Sequence, residues 1–129
     1  IFACARSFNQ GLDWNLSNIN YLIGIFKEAS SYNQPMNHWN VLYVKNMSEM
    51  FKGAISFNQP LNNWNTSNLD NTSEMFKGAI SFNQDISNWN LENTYWYKNM
   101  FLECSLEERY KPIIPTHVND NDENFDTSS

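Results

Sequence analysis

The side chains that could carry chemistry in this sequence are few and scattered. Histidine occurs only at His38 and His117, and cysteine only at Cys4 and Cys104, so no Cys/His cluster has zinc-site spacing. The run from Asp120 to Asn124 offers oxygen ligands but lacks the glycine and distal glutamate of a calcium loop. No glycine-rich phosphate loop or nucleophile motif occurs. We therefore expect a protein that is not an enzyme and that has no catalytic residues, no metal and no cofactor.

A tandem repeat of about 25 residues organises most of the chain. Tryptophan and phenylalanine recur at a constant step of 25 and mark the predicted repeat core: Trp14, Trp39, Trp64, Trp89, Phe26, Phe51, Phe76 and Phe101. An aromatic residue followed by Asn-Gln recurs in the same register, except that its first step is 24 residues. We predict a stack of repeats over residues 1–105, starting within a repeat, and a C-terminal extension over residues 106–129 that is partly capping or extended, with an acidic end.

The second half of each repeat has helical spacing. In the repeat that spans residues 57–81, the apolar side is formed by Thr72, Met75, Phe76 and Ala79, at positions i, i+3, i+4 and i+7. Asn71 and Glu74 have the spacing of a capping box, and Gly78 stands where a left-handed residue ends a helix. We therefore predict a short helix here, held in place by its neighbours because it is too short to be stable alone.

The first half of the repeat predicts a short strand, around Leu61 to Asn65, because Pro60 limits its length. In a stack, this strand would pair in parallel with its copies above and below. One asparagine of each repeat would then align in a column: Asn15, Asn40, Asn65 and Asn90. Two interpretations remain open for this column, a ladder of amides that satisfies turn carbonyls and independent turns that favour asparagine.

The recurring Asn-Gln, Trp-Asn, Ser-Glu-Met-Phe and Gly-Ala segments resemble the BspA-like leucine-rich-repeat surface proteins, the domain of unknown function first noted in mycoplasma lipoproteins. The resemblance covers roughly residues 2–105 and departs from the pattern at Gly11-Leu12 and at residues 95–97. It implies a surface protein used for adhesion and brings no catalytic residues. With the predicted helix and strand, it implies an α/β fold, a leucine-rich-repeat-like right-handed solenoid of about four coils, each a short strand plus a short helix.

Net charge and the positions of the cysteines limit which partners the chain can bind and whether it can form a disulfide. The formal net charge of −6 argues against a nucleic-acid partner, and no segment is long and apolar enough for a membrane span. Lys52 and Lys77 follow Glu49 and Glu74 by three residues, as solvated helix-surface pairs do. Cys4 and Cys104 lie four repeats apart, on the order of 20 Å in a stack, so we expect no disulfide between them, which mass measurement under non-reducing conditions can check.

Two functions compete, and both place this chain outside the enzyme classes. One is a recognition or adhesion module at the cell surface or outside the cell, bound to a protein or a glycan. The other is an architectural minor component of a virion or another surface assembly, docked on neighbouring subunits by its ends and C-terminal arm. The predicted binding residues are the aromatic residues that replace polar residues of the repeat, together with the extended arm. They are Tyr43, Tyr95, Trp96, Pro112, Ile113, Ile114 and Pro115. Alternatively, Tyr95 and Trp96 cover the last coil, and the extension caps it.

Overall fold

The computed structural model describes residues 2–115, which form a stack of loops built from turns. Its single regular element in that range is a 3-10 helix, Glu108–Tyr110. Strand pairing within the same residues is limited to isolated parallel bridges, which join Tyr21 to Asn46, Asn46 to Asn71 and Asn71 to Trp96. The prediction of an α/β, leucine-rich-repeat-like right-handed solenoid, with a short strand and a short helix in each coil, is therefore wrong.

Backbone hydrogen bonding explains why the segment with helical spacing is not a helix. The N–H groups of Met75, Lys77 and Ala79 donate to carbonyls three residues back and close tight turns, with distances of 3.0–3.2 Å. The alternate N–H groups donate to the next loop, as Phe76 N does to the Met100 carbonyl at 3.0 Å and Gly78 N to Leu102 at 2.9 Å. An α-helix would need each of these donors for a carbonyl four residues back.

The same alternation repeats in the preceding loops and forms the main link between them. Phe26 N donates to the Met50 carbonyl at 3.0 Å, and Phe51 N donates to the Met75 carbonyl at 2.8 Å. The predicted strand around residues 61–65 is also absent, since those residues form a turn closed by Trp64 N on the Leu61 carbonyl. Neighbouring loops therefore supply the hydrogen bonds that regular elements would otherwise make within themselves.

Two positions in each full loop have a left-handed backbone. Glu74 has φ of 56° and Gly78 has φ of 74°, and the equivalent Glu49 and Gly53 have 58° and 71°. The left-handed conformation predicted for Gly78 is confirmed, although no helix ends there. Each of these residues is the third residue of a four-residue turn, where a positive φ is the mark of a type II turn.

Alanine at Gly78 tests the strain at this position. Its added Cβ would lie 3.7 Å from Gly53 N and 3.8 Å from Gly53 Cα, which is ordinary contact, so the cost comes from φ. We expect Gly78→Ala to lower the free energy of unfolding by about 1 kcal/mol in urea denaturation. Gly11→Ala is the control, because Gly11 has no positive φ and an added methyl group would meet nothing within 4 Å. Equal effects at the two sites would contradict the explanation.

Aromatic columns fill the interior of the stack. Phe26, Phe51 and Phe76 are fully buried, with ring centroids 5.9 and 5.4 Å apart, and Phe101 continues the column at 5.8 Å, half-buried. The tryptophans line a parallel column: Trp39, Trp64 and Trp89 are buried, and Trp14 is half-buried. Each buried indole donates to a carbonyl of the preceding loop, to Leu12, Met36 and Leu61 in turn.

An amide ladder runs along the stack, in a different column from the one considered in the sequence. It is formed by the asparagines of the Asn-Gln pairs: Asn9, Asn33, Asn58 and Asn83. The Asn58 side-chain oxygen accepts Asn83 N at 2.9 Å and Gln84 Nε2 at 3.1 Å. The column that contains Asn65 is exposed, and its side chains accept an N–H two residues on, such as Ser67 N. Independent turns are therefore the interpretation that holds there.

Candidate recognition surface

Large aromatic side chains are exposed at four places on the lateral surface of the stack. Tyr21 is 63% exposed, Tyr43 51%, Tyr95 48% and Trp96 46%. Solvent-exposed aromatic rings on a rigid backbone are the residue type that most often anchors a partner. Three of the four were predicted from the sequence. Tyr21 was missed, although it occupies the same repeat position as Trp96.

The isolated bridges position Tyr21 and Trp96. Both belong to the column that makes these bridges, with Asn46 and Asn71 between them. We define the bridge face as this column and the residue before each of its members: Asn20, Tyr21, Lys45, Asn46, Asp70, Asn71, Tyr95 and Trp96. In the three later loops of this face, both N–H groups share one carbonyl of the preceding loop, as Tyr95 and Trp96 do at Asp70 O, at 2.9 and 3.1 Å. Backbone hydrogen bonds between loops therefore hold the Cα atoms of these residues in place.

The structure brings two of the three predicted aromatic binding residues together and leaves the third apart. The Tyr95 and Trp96 rings meet edge to face, with centroids 6.4 Å apart. Tyr43 lies two loops earlier, in the turn that Val44 N closes on Val41 O at 3.0 Å. At its repeat position, Asn68 and Asn93 donate to carbonyls of the preceding loop, a bond that the Tyr43 ring does not make.

The predicted C-terminal arm lies against the last loop. Pro112 is buried, Ile114 and Pro115 are half-buried, and Ile113 is 85% exposed. The Tyr97 hydroxyl donates to the Pro115 carbonyl at 3.0 Å, which holds the end of the arm in place. A binding role for these four residues stays a prediction, and of their side chains only Ile113 is mainly exposed. The acidic residues that follow, from Asp120 to Asp126, and His117 lie outside the described residues.

Charged side chains form a ladder between loops. Lys52 Nζ lies 2.5 Å from Glu74 Oε1 in the next loop but 3.9 Å from Glu49 in its own. Lys27 reaches Glu49 in the same way, at 2.6 Å. The bond from Lys52 holds the pKa of Glu74 below its usual value, and the bond to Glu49 raises the pKa of Lys27. The short contacts therefore join successive loops, whereas the predicted pairs three residues apart are the longer ones.

The remaining reactive groups are dispersed. Within residues 2–115, no three His, Cys, Asp or Glu side chains are arranged to hold a metal ion. Cys4 and Cys104 are both unbonded thiols. Cys4 donates to a Glu28 carboxylate oxygen at 3.2 Å, which raises the pKa of its thiol, and burial raises the pKa of the Cys104 thiol. No helix among the described residues is both long enough and apolar enough to cross a membrane.

A shallow polar groove lies beside the amide ladder. Its lining residues are Pro60, Asn62, Gln84, Asp85, Ser87 and Asn88. The Asp85 carboxylate accepts both the backbone N–H and the hydroxyl of Ser87, at 2.9 and 2.6 Å, and these bonds lower the pKa of Asp85. The Asp85 carboxylate in this groove is therefore hydrogen-bonded within its own turn.

Comparison with known proteins places the chain in a family. The family model described as "Mycoplasma protein of unknown function, DUF285" matches residues 1–111. The chain belongs to this family. The match agrees with the resemblance to the mycoplasma domain, but it does not identify a BspA-like leucine-rich repeat. No curated protein and no solved structure matches the chain. For this DUF285 member, the surface described above therefore has to be interpreted from its own residues.

Proposed function

We propose that this DUF285 chain is a non-catalytic recognition module that works at a cell surface or outside the cell. The observation that carries the proposal is the exposed pair of Tyr95 and Trp96 on a backbone held by bonds between loops. Aromatic rings that are already ordered bind a partner at a low cost in conformational entropy. Tyr21 and Tyr43 extend the same kind of surface to other loops.

The polar groups of the stack support a role without catalysis. The amides of the Asn-Gln pairs join loops, and the carboxylates of Glu74 and Asp85 bond to Lys52 and Ser87. Acid and base chemistry needs titratable groups that converge on one reacting atom. In residues 2–115, these side chains instead bond to a neighbouring loop, as the amides and Glu74 do, or within their own turn, as Asp85 does.

The arm favours this proposal over an architectural role in a virion or another assembly. An arm that docks a neighbouring subunit would present its apolar side chains outward. Here Pro112 is buried and Pro115 accepts the Tyr97 hydroxyl, so the described part of the arm packs on its own last loop and leaves only the Ile113 side chain mainly exposed. The exposed aromatic residues, in contrast, face solvent.

Alanine substitutions separate recognition from folding. We expect Trp96→Ala and Tyr43→Ala to weaken binding of the labelled protein to its target cells by roughly tenfold, as loss of an anchoring aromatic does. Because both rings are about half exposed, the free energy of unfolding should change by no more than about 0.5 kcal/mol. Binding is measured by flow cytometry and unfolding by circular dichroism.

The matched control is Ile80→Ala, which removes a 55% exposed apolar side chain from another repeat position. It should leave both measurements unchanged. Variants of Tyr43 and Trp96 that unfold while the folded fraction still binds would place these residues in the core or cap. The recognition surface would then lie elsewhere.

A further inference from the structure

The bridge face has aromatic rings at its two ends and polar groups in its middle. Tyr21 occupies one end, and Tyr95 with Trp96 the other. The loops between them contribute an Asn each, Asn46 and Asn71, together with one cation, Lys45, and one anion, Asp70. The face therefore offers two apolar platforms separated by amides and by charges that cancel. This arrangement is the observation from which the ligand class is inferred.

The amides in the middle of the face are held in a fixed orientation. Asn46 Oδ1 accepts Ser48 N at 2.9 Å, and Asn71 Oδ1 accepts Ser73 N at 3.0 Å. Since each oxygen must face a backbone N–H, the identity of each amide's oxygen and nitrogen is settled. Each Nδ2 group makes no hydrogen bond to another described residue, so it remains a donor for a ligand.

The spacing of the face suits an extended ligand. Three loop steps separate Tyr21 from Trp96, and parallel bridges lie close to 4.8 Å apart, so the column spans roughly 15 Å. Such a length corresponds to a few sugar units in line. Pyranose rings stack their C–H faces on aromatic side chains and use their hydroxyls for hydrogen bonds with amides and carboxylates. The bridge face has aromatic rings for stacking at its ends and amides and a carboxylate for hydrogen bonding between them.

We propose that the bridge face binds a neutral, linear polysaccharide chain that lies along the stack. Sugar rings stack on Tyr21 and Trp96, and hydroxyls between them accept from the Asn46 and Asn71 amides. The proposal rests on the proposed function, for which it names the ligand class. A protein partner suits the face less well, because a protein hot spot needs an apolar centre that excludes water, and the centre here is polar. The net charge of −6 disfavours an anionic glycan.

Titration with neutral oligosaccharides of increasing length tests the proposal. The probes are 1,4-linked oligomers of α-glucose, β-glucose and β-mannose, from the monosaccharide to the hexasaccharide, measured by isothermal titration calorimetry. We expect one series to bind, with affinity that rises with length and levels off once the ligand spans both platforms. The absence of binding in all three series, or binding without dependence on length, overturns the proposal.

Variants at the two ends assign the binding to the bridge face. Tyr21→Ala and Trp96→Ala should each weaken the hexasaccharide roughly tenfold and abolish the gain with length. Both changes leave the backbone bridges in place, and circular dichroism confirms that the variants are folded. Ile80→Ala, which lies at another repeat position, should bind as the unmodified chain does. Unchanged affinity in both end variants places the glycan elsewhere and overturns the proposal.

Cell binding after periodate treatment distinguishes this proposal from the broader function. Periodate cleaves the vicinal diols of surface glycans. Loss of binding on treated cells supports the glycan. Binding that survives treatment but is lost in Trp96→Ala overturns the glycan in favour of a protein partner, and the recognition function stands. Binding that survives both treatment and substitution contradicts the two proposals together.

Discussion

Replacing Trp64 with alanine is expected to lower the free energy of unfolding by about 3–5 kcal/mol, the range measured for large aromatic residues in protein cores. Trp64 is only 3% exposed, and its ring stacks on Trp89 at 6.1 Å and on Phe51 at 6.4 Å. The substitution also removes the bond from Trp64 Nε1 to the Met36 carbonyl at 2.9 Å. The loss should therefore combine a cavity with an unsatisfied carbonyl.

Urea denaturation followed by circular dichroism measures this effect. Trp96→Ala is the matched control, since it removes the same side chain from an exposed position and should cost no more than about 0.5 kcal/mol. Trp64→Phe keeps much of the ring and should cost less than Trp64→Ala. Similar losses at Trp64 and Trp96 would mean that the tryptophan column is not the centre of the core.

Residue spacing allowed the inward side of each loop to be predicted without the backbone being known. Thr72, Met75, Phe76 and Ala79 are all buried, in agreement with the apolar pattern. An amphipathic helix and a series of tight turns can bury residues at the same spacing. What distinguishes them is the acceptor of each N–H, and Phe76 N and Gly78 N find theirs in the next loop. Those acceptors depend on how the repeats stack, which local propensity does not contain.

Glutamate at a left-handed position is a further reason why the turns were not predicted. Glycine marks such positions in a sequence, and Gly78 was recognised on that basis. Glu74 has φ of 56° and carries no such mark, because glutamate is a good helix former. Its place in the repeat offers the one clue, since Gly24 is its equivalent two loops earlier and has φ of 61°. Stacking contacts hold Glu74 in a conformation that it would not prefer alone.

The sequence also located only some of the residues of the candidate surface. Aromatic residues that replace the repeat's polar residues are visible in the sequence, and this signal located Tyr43, Tyr95 and Trp96. Tyr21 follows Trp14 by seven residues, as Trp96 follows Trp89, so the same signal was present at Tyr21 and was not used. That both residues lie on one face follows from the parallel bridges, which only the structure shows.

Substitution of Asn58 by alanine should remove one rung of the amide ladder and lower the free energy of unfolding by about 1–2 kcal/mol. Its side-chain oxygen accepts both Asn83 N and Gln84 Nε2, so alanine leaves Asn83 N without its acceptor and leaves Gln84 Nε2 only the Asn58 backbone carbonyl, at 3.3 Å. Asn58 is exposed, and no cavity forms to add to this cost. The expected loss is therefore smaller than at Trp64 and comes from hydrogen bonds alone.

Asn58→Asp separates the hydrogen bonds from other effects of the change. Aspartate keeps the shape of asparagine and an oxygen at the same place, so both bonds should persist, and stability should stay within about 0.5 kcal/mol of the unmodified chain. Amide hydrogen exchange at Asn83 provides a local measurement, with faster exchange expected for Asn58→Ala than for Asn58→Asp. Equal exchange in the two variants would show that the side-chain oxygen does not hold the loops together, and the ladder would then be a consequence of the stacking rather than one of its causes.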